Sequence, residues 1–169
     1  MIILETSKLT LKTIEKEDSQ VLYDLIFSHE ETMKYTFGGK AFTLEESKKF
    51  IYKNFCKNNA IVGLAPLFEK SSGNLVGLAG ILKSEDLGTN QHEFKVIIAE
   101  KFRRKGYAQE VVQSELTFIR RRLKQNKAFA LIHKEDEASK KLLEKSGMTF
   151  IKNINLKDRI DQEVYTKGV

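Results

Sequence analysis

Arg103, Arg104, Lys105, Gly106, Tyr107 and Ala108 stand consecutively in the stretch FRRKGYAQEVV, residues 102–112. Cations that run into a glycine and then into a helical pattern can hold an anion. A helix start leaves backbone N–H groups unpaired and carries positive partial charge. Gly106 lets a ligand approach the backbone closely and tolerates positive φ, and Ala108 is too small to obstruct that approach. The same residues also suit an ordinary solvated basic turn, so the stretch alone leaves both readings open. Acid–base chemistry needs other groups. Glu93 is a candidate general base, with an edge carboxylate as its plain alternative. His92 and His133 fall near opposite ends of two strands expected to run parallel, which separates them and argues against a shared metal site. Cys56 has no histidine near it in sequence and reads as structural rather than as a nucleophile.

The elements that must position these groups follow from periodicity. KLTLKTI (8–14) alternates apolar and polar residues like a half-buried strand. Asp18 is placed to cap a helix with Val21, Leu22, Leu25 and Ile26 on one face. Thr43-Leu44-Glu45-Glu46 is a capping box, predicting a helix to about Asn58. Three strand-like segments follow, AIVGLAPLFEK, NLVGLAGILKSE and HEFKVIIAE, the first two joined by a turn at Ser71-Ser72-Gly73-Asn74. Ala108, Val111, Val112, Leu116, Ile119 and Leu123 trace one helical stripe. AFALIH (128–133), a helix from Asp136 to Ser146 ended by Gly147, and two closing strands complete the chain. The order β α α β β β α β α β β predicts an α/β (α+β) fold. It is a mixed, mostly antiparallel twisted sheet of about seven strands, with a central parallel pair and about four flanking helices.

The chain has 169 residues with no repeat or linker, which suits one domain over residues 1–169. The 41% hydrophobic and 31% charged content excludes a disordered chain. A single cysteine excludes an intrachain disulfide and fits a reducing, cytoplasmic setting. No signal-peptide layout or membrane-length apolar run is visible. The formal charge of +6 favours an acidic partner: nucleic acid, anionic lipid or a phosphorylated ligand.

Three ordered segments decide among these. Arg103-x-x-Gly106-x-Ala108 resembles the pyrophosphate-binding signature [Q/R]-x-x-G-x-[G/A] of the GNAT N-acetyltransferases. LETSKLTLKTIEKED resembles the opening strand and helix of the branch that includes the ribosomal-protein N-terminal acetyltransferases, and Glu93 to Glu100 resembles its central strand. Glu135 to Ser139, then Leu142 to Met148, is similar to its late N-x-x-S … L-L-E-K-x-G-F segment. Asp136 stands where asparagine is usual, Met148 where phenylalanine is usual, and Arg104 where glycine is common. Arg104 is therefore expected to keep negative φ. Leu143 occupies the position at which related families carry a tyrosine acid.

The resemblance implies acetyl-coenzyme A as co-substrate, without a metal, and a primary amine as acceptor, either a small molecule or a protein N-terminus. Pantetheine would run along Ile97, Ile98 and Ala99 like an added strand. The pyrophosphate would rest on Arg103, Arg104, Lys105, Gly106, Tyr107 and Ala108, with Asp136, Ser139 and Lys140 supporting the cofactor arm. An amide near Ile97 or Ile98 would polarise the thioester carbonyl. Glu30, Glu31, Tyr35, Phe37 and Glu85 are candidate acceptor contacts. The expected assembly is a monomer or homodimer, with no membrane partner. Two rivals remain: a coenzyme A-binding protein of the same fold without turnover, and a nucleic-acid module using Arg120-Arg121-Arg122-Leu123-Lys124 and Lys127. The second is the weaker, since no aromatic residues interleave with those cations.

Overall fold

A computed structural model describes residues 1–169. Eight strands form one sheet: β1 (Ile2–Glu5), β2 (Leu9–Lys12), β3 (Gly63–Glu69), β4 (Leu75–Lys83), β5 (His92–Ile98), β6 (Lys127–His133), β7 (Thr149–Leu156) and β8 (Arg159–Gly168). Their spatial order is β1-β2-β3-β4-β5-β6-β8-β7. Five helices flank it: α1 (Asp18–Leu22), continued by a π turn over Tyr23–Phe27, α2 (Glu30–Met33), α3 (Leu44–Asn54), α4 (Tyr107–Arg121) and α5 (Glu137–Lys145). Every strand pair is antiparallel except β5 with β6. The mixed, mostly antiparallel sheet with a central parallel pair is as the sequence predicts.

Several boundaries differ from expectation for local reasons. The sheet gains a strand because Thr6 to Lys8 reverse the chain, so that Ile2–Glu5 pairs back on Leu9–Lys12. A single turn of helix over Glu30–Met33 adds the fifth helix. Thr43 caps α3 as its side chain predicts, accepting from the Glu46 N–H at 3.2 Å. That helix stops at Asn54 rather than Asn58, because Phe55 turns extended (φ −92°, ψ 143°) and bridges to Leu64. Asp18 does not cap the helix that it opens. Its Oδ2 accepts from the Glu15 N–H upstream, and Glu17 occupies the cap position. Val21 is exposed, whereas Leu22 and Ile26 are buried.

The sheet buries both faces. On one face Phe94, Ile98, Val111, Val112, Leu116 and Ile119 join β5 to α4. On the other, Leu22, Ile26, Phe27, Ile51, Leu78 and Ile97 join it to the first three helices. Strand alternation therefore sends Glu93, Lys95 and Ile97 toward the α1–α3 face, and Phe94, Val96 and Ile98 toward α4. Alternation breaks once in β4, where Leu67 pairs with Gly77 and Phe68 with Leu75, leaving Val76 as a bulge.

Gly77 is required beside the cleft-lining strand. A Cβ there would lie 2.3 Å from the Ile97 carbonyl oxygen, backbone that cannot yield without moving β5. Gly77→Ala is expected to destabilise the fold by about 1–3 kcal/mol, the usual range for overpacking a tight contact. Denaturant unfolding of the two proteins measures it, and an unchanged midpoint would show that β4 and β5 can separate freely.

Candidate functional site

β5 and β6 touch in register at a single pair, Glu93 with Phe129. Beyond it the strands part. β5 remains bonded to β4, as the Ala99 N–H to Val76 O bond at 2.9 Å shows. Antiparallel alternation then turns the backbone of Val96 and Ile98 toward the gap. The gap opens into a cleft of about 620 Å³ lined by β5, β6 and the facing parts of α2, α4 and α5.

The turn from Phe102 to Ala108 closes one end of this cleft. Gly106 takes φ 77°, and a Cβ placed on it would meet no atom within 4 Å. The first bond of α4 runs from the Glu110 N–H to Gly106 O at 3.1 Å, and no side chain caps the helix. The N–H groups of Gly106, Tyr107, Ala108 and Gln109 accordingly have no acceptor within the protein. Four unpaired amides at an open helix start are what an anion with several oxygens requires.

The three cations before them do different work. Arg103 braces the turn, its Nε donating to Ile98 O at 3.1 Å and its Nη2 to Thr32 Oγ1 at 3.3 Å. Arg104 is exposed and lines the cleft, but with φ 63°, so the expectation of negative φ is corrected. The positive φ turns the chain there without a glycine, at a strain of about 1 kcal/mol. Lys105 leaves the cleft and pairs with Glu69 at 3.4 Å. Glu69 also accepts from Ser72 Oγ at 2.6 Å and from the Tyr107 hydroxyl. Hydrogen bonds from Ser72 and Tyr107 hold the Glu69 carboxyl down at about 2, and the bond to Glu69 pushes the Tyr107 phenol up to about 12. This cluster ties the β3–β4 hairpin to the start of α4.

Ile97 and Ile98 line the cleft, whereas Ala99 is buried behind it. Asp136 and Ser139 both line it. Asp136 caps α5, with Oδ1 accepting from the Ser139 N–H at 3.1 Å and Oδ2 from the Ser139 hydroxyl at 2.7 Å. Lys140 is turned away, paired with Glu137 and Glu163 at 3.4 Å each, and Lys141 and Lys145 stand at the cleft instead. Leu143, 3% exposed, presents an apolar wall.

Glu93 is 2% exposed and does not line the cleft. Both its oxygens accept from Arg159, at 2.7 Å from Nη1 and 3.3 Å from Nη2. His92 is buried with Nδ1 unpartnered, at the opposite end of the parallel pair from His133, which stacks on Tyr35 at 5.0 Å. Burial pushes the Cys56 thiol up to about 11, which leaves no thiolate for covalent chemistry. No cluster of three or more metal-ligating side chains is present, and no helix is long and apolar enough to cross a membrane.

The sequence reading passed over Lys95. It lines the cleft from within the apolar half of β5, and no carboxylate lies within salt-bridge distance of it. A charge inside F-K-V-I-I was the available signal. Burial lowers the Lys95 ammonium to about 8, with Arg159 pushing the same way and Glu93 and Asp136 opposing. In the unfolded chain this group keeps its proton up to about 10.5. The unfolded state therefore binds more protons between these values, and stability rises with pH across that window. Lys95→Met is expected to stabilise the protein by about 1–3 kcal/mol at pH 7, an advantage that fades toward pH 10.5. Thermal unfolding of both proteins from pH 7 to 10.5 measures it. A pH-independent difference would place the ammonium in water.

The comparisons with known proteins agree with this geometry. The family model for the Acetyltransferase (GNAT) domain matches residues 8–149. The uncharacterized protein YkkB of Bacillus subtilis (strain 168) is 26% identical over 152 residues, 89% of this chain and 87% of that protein. A GNAT-family acetyltransferase from Bacillus anthracis superposes with a TM-score of 0.80 at 24% identity, covering 99% of this chain and 98% of the other. The ribosomal L7/L12 alpha-N-protein acetyltransferase RimL, solved with coenzyme A, superposes with a TM-score of 0.76 at 14% identity, covering 100% and 98%.

Proposed function

Since this chain belongs to the GNAT acetyltransferases, we propose that it moves an acetyl group from acetyl-coenzyme A to a primary amine by direct transfer. The observation that carries the reading is the set of four free amides at Gly106–Gln109, open to an incoming group, at the end of a cleft between parted strands. These amides would hold the pyrophosphate. Arg104, Lys141 and Lys145 would add attraction for the phosphorylated end, while Arg103 keeps the turn in place through Ile98 and Thr32. The exposed edge of β5 would align the pantetheine arm, with Val96 and Ile98 offering backbone groups. Of the amides near the thioester, that of Ile98 faces the gap and is the better placed oxyanion donor.

Acetyl-coenzyme A supplies a thioester: the amine nitrogen bonds to its carbonyl carbon, the carbon–sulfur bond breaks, and the thiolate leaves with a proton released by the nitrogen. An ammonium acceptor must first lose one proton. Both Glu93 oxygens are committed to Arg159, so in this reading Glu93 orients Arg159 and water receives that first proton. Buried Leu143 offers no acid to the thiolate, so the second proton passes to sulfur from the attacking nitrogen, directly or through water. Positioning and oxyanion stabilisation then account for the rate.

Gly106→Val tests the phosphate seat. A β-branched side chain at φ 77° is strained, and it fills the space that the ligand needs. Calorimetry is expected to show at least a hundredfold weaker coenzyme A binding, as the loss of several charge-assisted hydrogen bonds requires, with the circular dichroism spectrum unchanged. Undiminished binding by a folded variant would remove the phosphate from this turn. Glu93→Gln separates positioning from base catalysis. The variant is expected to lose about 1–3 kcal/mol of stability and to keep the wild-type midpoint in its pH–rate profile. A displaced midpoint would return Glu93 to the role of base.

A further inference from the structure

Resting on the acetyl-transfer reading, we infer that the acceptor amine also carries an anionic group, carboxylate or phosphate, which Lys95 and a cationic pocket beside the cleft receive. This pocket, of about 380 Å³, shares Tyr35 and Thr36 with the larger cleft. Lys34, Lys157 and Arg159 line it against a single carboxylate, Asp158. Glu93 neutralises Arg159 from behind, and Asp158 offsets one lysine, so one lysine remains uncompensated before Lys95 is counted.

Lys95 stands where the two spaces meet. It lies on the same strand face as Glu93, two residues on, and its ammonium is 5.5 Å from the ring of Phe37, itself part of the pocket wall. A half-buried lysine with no carboxylate in salt-bridge contact, the neighbouring Glu93 being committed to Arg159, is a costly group in a folded protein unless something else meets it. An anion in the pocket supplies the missing partner and draws the ammonium out of its apolar surroundings. His133 adds a donor to the same wall. Its Nδ1 accepts from the Glu135 N–H at 3.1 Å, which places the neutral ring's proton on Nε2. A polyamine would meet the reverse of the potential it needs, since the cleft's two carboxylates, Glu31 at the exposed rim and the Ser139-bonded Asp136, stand against Lys95, Arg103, Arg104, Lys141 and Lys145. The pocket therefore selects against a purely cationic acceptor as well as for an anionic one.

The test measures thiol release from acetyl-coenzyme A with matched acceptors: the twenty L-amino acids and β-alanine against their amides, O-phosphoethanolamine against ethanolamine, and spermidine. At least one anionic amine is expected to exceed its uncharged counterpart about tenfold or more in kcat/KM, the size of one charge-assisted hydrogen bond. The amino-acid and phosphoethanolamine arms tell carboxylate from phosphate. Lys95→Met and Lys34→Met are each expected to raise KM severalfold more for the anionic amine than for its uncharged counterpart. Equal or better use of the uncharged partner in every pair, a preference for spermidine, or no turnover of any anionic amine by protein that binds coenzyme A would overturn the inference. Absence of coenzyme A binding in a parallel calorimetric titration would instead remove the acetyl-transfer reading on which it rests.

Discussion

The parting of β5 from β6 is the constraint on which the rest of the structure depends. Parallel strands that stayed paired to their ends would satisfy each other's backbone and leave no cleft. Here the ladder is reduced to Glu93 and Phe129. Val96 and Ile98 turn their backbone to the opening, and α4 begins beside it with its first amides unspent. Cleft and free strand edge are two consequences of one interrupted ladder, and the uncapped start of α4 opens onto them.

The parting is held open by interactions on either side. Toward the helix, Arg103 ties the turn to Ile98 and Thr32, and the cluster of Glu69, Ser72, Tyr107 and Lys105 anchors the start of α4 to the β3–β4 hairpin. Toward the other end, the bidentate pair of Glu93 with Arg159 joins β5 to β8 close to the last shared rung. The charged groups conspicuous in the sequence are thus largely structural. Lys95, Arg104, Lys141 and Lys145, which have no ion-pair partner, face the open space. Around the cleft, hydrogen bonding and ion pairing separate the bracing Arg103, Lys105 and Lys140 from the cations open to a ligand.

Two buried polar groups lack partners without facing the cleft. Glu115 lies on α4, fully buried beneath the sheet with neither oxygen hydrogen-bonded, and burial pushes its carboxyl well above the usual range. His92 is likewise buried, with Nδ1 unpartnered. Neither lines the cleft. Lys95 differs because its head reaches the cleft wall, where a ligand can meet it.

Local rules sufficed for much of this protein. The capping box at Thr43, the hairpin turn at Ser71 to Asn74, the stripe of α4 and the Gly106 turn all depend on residues within a few positions of one another, and propensity and periodicity describe such contacts well. The GNAT resemblance was legible because each of its segments is local and because they occur in the right order along the chain, although the Gly106 turn alone left two readings open. Long-range pairing decided the remainder. Glu93 looks like a free carboxylate until Arg159, 66 residues away, closes on it. Lys140 looks available until Glu163 folds beside it, and Lys105 until Glu69 does. Lys95 reads as a solvent-facing strand residue until both faces of β5 are covered. A charge's role depends on what surrounds it, and only the tertiary fold brings those surroundings together.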